Sequence, residues 1–155
     1  MKNIKRVGLV VLFVGIAFLP ALGAVFVNTG GWYESLTKPL WNPPSSIFAP
    51  VWTVLYFLIG LAGYFEWTRC YYEDRRAVFI VYGLQLFFNA LWTPLFFGLH
   101  RPDLALADIV FLWFLILICV SVFSLHSRLA AWLMVPYFIW VSFACALNTV
   151  FLVLN

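Results

Sequence analysis

Tyr82, Gln85, Asn89, Trp92 and Phe96 recur at spacings of three and four residues in an almost uncharged run, which sets them on one face of a helix. Carboxamides donate and accept hydrogen bonds but do not attack, protonate or ionise, so this is chemistry for holding a molecule. An amide facing hydrocarbon unpaired costs several kcal/mol, so Gln85 and Asn89 must meet another helix or a ligand. Gln85 reads as structural glue between helices, worth about 0.6 to 2 kcal/mol per contact, and Asn89 as a polar anchor. Trp52, Tyr56, Gly60 and Gly63 form a second such face, and Tyr137, Trp140, Ala144 and Leu147 a third. In both, large rings are followed by small or aliphatic side chains, so the glycine end admits close helix approach while the ring end holds helices apart. If the faces converge, Trp52, Trp92 and Trp140 wall an apolar chamber anchored by Asn89, the usual make-up of a small-molecule site.

A cover for that chamber is written in WYESLTKPLWNPP, which starts at Trp32. Trp32, Tyr33 and Trp41 offer broad faces with one polar handle each, and Pro39, Pro43 and Pro44 stiffen the backbone. The same residue types suit an aromatic belt at the lipid headgroups, so lid and belt are both open readings. Asp108 is an acidic group about one turn inside an apolar run, a functional candidate by default, although a helix amino terminus also favours it. His100 and His126 stand at the ends of apolar runs with no second His or carboxylate at ligand spacing, so no metal site is expected. Cys70, Cys119 and Cys145 are odd in number and lack a CxxC pair, which suggests packing residues. No nucleophile or acid/base constellation is visible, which argues against hydrolysis or group transfer.

The elements that must position these residues are membrane helices. Of 155 residues, 65% are hydrophobic and 10% charged, with a mean hydropathy of +1.01, which excludes a soluble domain with a polar shell. Apolar runs at residues 7–27, 47–67, 77–99, 104–125 and 129–154 each approach the roughly 20 residues that cross a bilayer. The expected fold is therefore all-α, a five-helix transmembrane bundle in one domain over residues 1–155, with a covering loop at 28–46. The other connectors are short, apart from a charged one at 71–76, so successive helices should be antiparallel neighbours. Lys2, Lys5, Arg6, Arg69, Arg75, Arg76 and Arg128 fall on one side of such a bundle and Lys38 and Arg101 on the other, which predicts the amino terminus inside and the carboxyl terminus outside. The net charge of +3 is thus topological, and nucleic acid is not an expected partner. The basic start with Ala21-Leu22-Gly23 also fits a cleavable signal, but its apolar run exceeds the usual 7 to 15 residues and is read as the first helix.

With these residues in view, the chain resembles the translocator protein family, also called tryptophan-rich sensory proteins or peripheral benzodiazepine receptors. The resemblance rests on WYESLTKPLWNPP, PVWTVLY from Pro50, QLFFNALWTPLFFG from Gln85, ALAD ending at Asp108, and PYFIW with FACALN between Pro136 and Asn148. It implies a five-helix bundle, often a homodimer, whose pocket under the first loop takes protoporphyrin IX or haem and, in many members, sterols or benzodiazepine-like drugs; no cofactor is required. Trp52 and Trp140 match tryptophans implicated in light-dependent porphyrin breakdown in some bacterial members. Asn89, Trp92, Ala144 and Leu147 match ligand-lining positions, and Phe143, which opens FACALN, is grouped with them. Asn148, which closes that motif, is expected to be a structural polar residue with Gln85 and Asp108. The family's sterol motif needs a Tyr and then a basic residue at the end of the last helix, where this chain reads LNTVFLVLN. A loose match runs from Leu61 through Tyr64 to Arg69, and such patterns are weak. Three functions are thereby framed: a porphyrin binder acting as sensor, carrier or regulator; a light-dependent porphyrin-degrading enzyme; and an ion-coupled exporter using Asp108, disfavoured by the lack of a deep ionisable group.

Overall fold

The computed structural model describes residues 2–25, 27 and 31–155. The described elements are α1 (Lys2–Ala17), a 3-10 turn (Leu19–Ala21), α2 (Leu22–Val25), α3 (Gly31–Ser35), α4 (Ser45–Arg69), α5 (Tyr72–Thr93), a π turn (Pro94–Gly98), α6 (Pro102–His126) and α7 (Arg128–Leu154). Five stretches, Ile4–Ala24, Ser45–Arg69, Tyr72–Gly98, Pro102–His126 and Arg128–Leu154, are long and apolar enough to cross a membrane. Residues 28–30, where the covering loop was expected to start, lie outside the described residues.

Helix ends depart from the apolar runs for local reasons. The expected charged connector at 71–76 is mostly helix, because Glu73 and Asp74 occupy the first turn of α5, where the helix dipole favours acidic groups. Only Cys70 and Tyr71 separate α4 from α5. Pro20 lies in the 3-10 turn that interrupts the first span, and Pro94 opens the π turn that closes the third. Pro102 stands at the start of α6, where a missing amide is least costly, and Ser127 caps α7 by accepting from the Ala130 amide at 3.3 Å.

The closely packed pairs are α1 with α4, α4 with α7, α7 with α6 and α6 with α5, while the 3-10 turn and α2 return to α5. The expectation that all successive spans pack as neighbours therefore fails for α4 and α5. The first span packs against both: the Phe13 ring lies 6.0 Å from Trp67, 5.8 Å from Phe79 and 6.4 Å from Tyr82. Glycines on α4 make room for it. A β-carbon at Gly60 would sit 2.6 Å from the Val14 α-carbon, and one at Gly63 would sit 2.9 Å from the Phe13 ring. This engagement fits the first apolar run as a working helix of the bundle. Val7, Val11, Ile80, Phe87, Phe111, Ile118 and Ile139 point outward, as a lipid-facing surface requires.

Candidate ligand-binding site

The predicted faces do turn inward. Gln85, Asn89, Tyr82 and Phe96 of the third span, Tyr56 of α4, and Tyr137 and Leu147 of α7 are buried, with Trp52, Trp92, Trp140 and Ala144 partly so. At their centre Asn89 bridges two helices: the Tyr56 hydroxyl donates to its Oδ1 at 3.1 Å, and its Nδ2 donates to the Tyr137 oxygen at 2.8 Å. A single carboxamide thereby joins α4, α5 and α7 through two hydrogen bonds between neutral groups. Tyr82 donates to the Ile59 carbonyl at 3.1 Å nearer the other end of the same interface.

Aromatic rings stand around this triad in three groups. Trp52 stacks on Tyr56 at 5.4 Å and 26° and meets Tyr137 edge-on at 6.2 Å. Trp140 packs against Phe48 at 5.9 Å and Phe143 at 5.5 Å. Trp92 stacks on Phe96 at 5.0 Å and 17°, and its N–H donates to Asn148 Oδ1 at 3.1 Å. Asn148 in turn donates to the Pro102 carbonyl at 2.8 Å, so it is a structural polar residue that fixes the start of α6. The three indoles share a region without touching one another as one continuous wall. Trp140 Nε1 is buried with no partner among the described residues, a donor left free within the ring layer.

The covering loop is ordered by its own contacts. On α3, Trp32 packs edge-on to Phe96 at 5.4 Å and stacks on His100 at 4.5 Å and 18°. Tyr33 meets Phe97 and Phe151, each at 5.6 Å, and donates to Asn42 Oδ1 at 3.2 Å. Burial raises the Tyr33 pKa, partly offset by the Asn42 hydrogen bond, which keeps the phenol a donor. Asn155 clamps the strap beyond α3, its Oδ1 accepting from the Thr37 amide at 2.8 Å and its Nδ2 donating to the Thr37 carbonyl at 3.2 Å. Further along, Pro43 is half-buried and Pro44 exposed, Leu40 is fully exposed, and Trp41 is 48% exposed while its ring reaches Phe143 at 5.7 Å. The two readings of the loop thus divide along it: Trp32 and Tyr33 are seated on the bundle, whereas the outer face of Trp41 suits the belt.

Phe48, His100 and Asn155 belong to this region although sequence reasoning did not select them. None of the three carried a local signal for this role, and the φ of 53° at His100, unusual for a non-glycine residue, cannot be read from composition. Gln85, expected as interhelical glue, is fully buried but finds no partner among the described residues. Both Asp108 oxygens are likewise buried, with no hydrogen-bond partner among the described residues.

The opposite end differs from expectation more sharply. His126 does meet carboxylates, because the fold brings them from other helices: Nδ1 lies 2.7 Å from Glu66 Oε1 and Nε2 lies 3.3 Å from Asp74 Oδ2. Glu66, within the apolar run 47–67, is fully buried. An open hollow of about 720 Å³ lies beside this end over Trp67, Tyr72, Arg75, Arg76 and Phe79.

Comparison with known proteins agrees with the architecture. The model of the TspO/MBR family matches residues 8–154. A Tryptophan-rich protein TspO of Archaeoglobus fulgidus is 36% identical over 100% of this chain and 99% of its own. A Tryptophan-rich sensory protein of Cereibacter sphaeroides is 37% identical over 88% of this chain and 84% of its own, and the Translocator protein of Bos taurus 36% over 87% and 85%. With five apolar helices of spanning length, the chain is an integral, multi-pass membrane protein and belongs to the TspO/MBR family.

Proposed function

We propose that this protein binds flat, hydrophobic tetrapyrroles such as protoporphyrin IX or haem between the Trp52 and Trp140 rings, under the loop that carries Trp32 and Tyr33, and acts as a porphyrin sensor, carrier or regulator. The reading rests above all on the Tyr56–Asn89–Tyr137 triad, an uncharged polar floor beneath two indoles at the mouth of three helices. A macrocycle gains stacking area from Trp52 and Trp140, while the free Trp140 N–H offers a donor at its edge. The ring layer is closed by ring-on-ring contacts, so entry requires the loop to lift and the Phe48 and Phe143 rings to part from Trp140. Homodimerisation through an outward apolar face and access of ligand from the lipid are parts of the same reading. A sterol is a weaker ligand candidate, since the last helix lacks the Tyr-and-base pair.

Titration of purified protein with protoporphyrin IX, followed by tryptophan quenching, tests the site. Trp140→Phe combined with Asn89→Ala is expected to weaken binding by at least about tenfold, the loss of roughly one good polar contact and its geometry. Saturation identical to the unmodified protein would remove the site.

A further inference from the structure

At the end of the bundle opposite the loop, Glu66, Cys70 and His126 each present one ligand-type atom, all within 4.8 Å of one another. Glu66 and His126 belong to α4 and α6, and Cys70 to the turn after α4. From this convergence we propose a binding site for a borderline-soft divalent cation, zinc above all, with Glu66, Cys70 and His126 as its protein ligands and an exchangeable fourth position.

Several independent features of the cluster support that assignment. Glu66 is 0% exposed, and its Oε2 is buried with no hydrogen-bond partner among the described residues, so half of the carboxylate has no explanation in the His126 contact alone. The Cys70 thiol makes only a 3.4 Å contact to the Tyr71 carbonyl. A carboxylate, a thiolate and a neutral imidazole match the ligand types zinc takes, and the two anions neutralise a divalent ion in a largely dry place. Tetrahedral bonds of about 2.0 to 2.3 Å put ligand atoms roughly 3.3 to 3.8 Å apart, a range that falls between the 2.7 Å from Glu66 Oε1 to His126 Nδ1 and the 4.8 Å that bounds the cluster.

Around these ligands stands the outer shell that such ions require. With Nδ1 turned to Glu66, the other imidazole nitrogen faces the Asp74 carboxylate at 3.3 Å, the arrangement that fixes the tautomer of a metal-bound histidine. The Asp74 side chain is 57% exposed and gives an incoming cation a path from solvent. Arg75 donates to the carbonyls of Trp67 and Cys70, each at 3.3 Å, with its guanidinium 4.5 Å from the centre of the Trp67 ring, which braces the turn bearing Cys70. A bound ion ties the end of α4 to the end of α6, two helices that otherwise make few backbone-level contacts.

The test is cobalt titration of chelator-stripped, reduced full-length protein in detergent. Saturation at one Co²⁺ per chain, with tetrahedral ligand-field bands and a thiolate charge-transfer band, both abolished by Zn²⁺, is expected. Cys70→Ser should remove the charge-transfer band, and Cys145→Ser should leave it intact. Asp74→Asn, an exposed change outside the ligand set, should keep the band but weaken affinity about 10- to 100-fold, as the loss of an orienting carboxylate does. Helical circular dichroism confirms that each variant is folded. Absence of a saturable spectrum in the folded wild-type chain, or a charge-transfer band that persists in Cys70→Ser, overturns the proposal.

Discussion

The two ends of the bundle solve the same problem, how to bury polar groups in a membrane protein, with different chemistry. At the loop end the buried groups that pair with one another are neutral: Tyr56, Asn89 and Tyr137 share two hydrogen bonds, and Trp92 donates to Asn148. At the basic end they are a carboxylate, an imidazole and a thiol, with a second carboxylate outside them. Neutral partners exchange at small electrostatic cost, which suits a region that, on the proposed function, opens for a flat ligand with a largely apolar ring. Charged partners separated in a low-dielectric place cost far more, which suits a region that stays shut. On the proposals above, the loop end exchanges and the basic end fastens.

The largest break comes from the waist that both ends share. Gly60→Val drives a side chain into the Val14 backbone and should destabilise the fold by about 3 kcal/mol, visible as a lower midpoint of thermal unfolding in detergent. Porphyrin saturation and the cobalt spectrum should then fall together, in step with the folded fraction. Retention of one with loss of the other contradicts a common waist. A smaller, one-sided effect is expected from Asn155→Ala, which removes both hydrogen bonds to Thr37. Loosening the strap by about 1 kcal/mol should speed porphyrin release about fivefold in stopped-flow measurements. The cobalt spectrum should not change, and an altered one denies the independence of the two ends.

The loop end was legible in sequence because its residues lie on faces set by helical periodicity. Gln85, Asn89, Trp52, Tyr137 and Trp140 are at regular spacings within single helices, so one period sufficed to turn them inward. The five spans were legible for the same reason, hydropathy being local. Pairings across helices were not. Nothing near Asn89 announces that its partners are Tyr56 and Tyr137, and nothing near His126 points to Glu66, sixty positions earlier. Glu66 did carry a signal as the one acidic residue of the run 47–67, masked by its closeness to the run's end. The start of α5 was misread because Glu73, Asp74, Arg75 and Arg76 lower hydropathy without disfavouring a helix. The seating of α1 against α4 follows from Gly60 and Gly63 meeting Val14 and Phe13, a fit of shapes that no single segment encodes.

The structure of the protein bound to protoporphyrin IX tests the central claim most directly. The account predicts the macrocycle between Trp52 and Trp140, above Tyr56, Asn89 and Tyr137, with Trp32 and Tyr33 of the loop over it. A macrocycle seated at the other end, in the hollow over Trp67 and Phe79 with its propionates on Arg75 and Arg76, would contradict it.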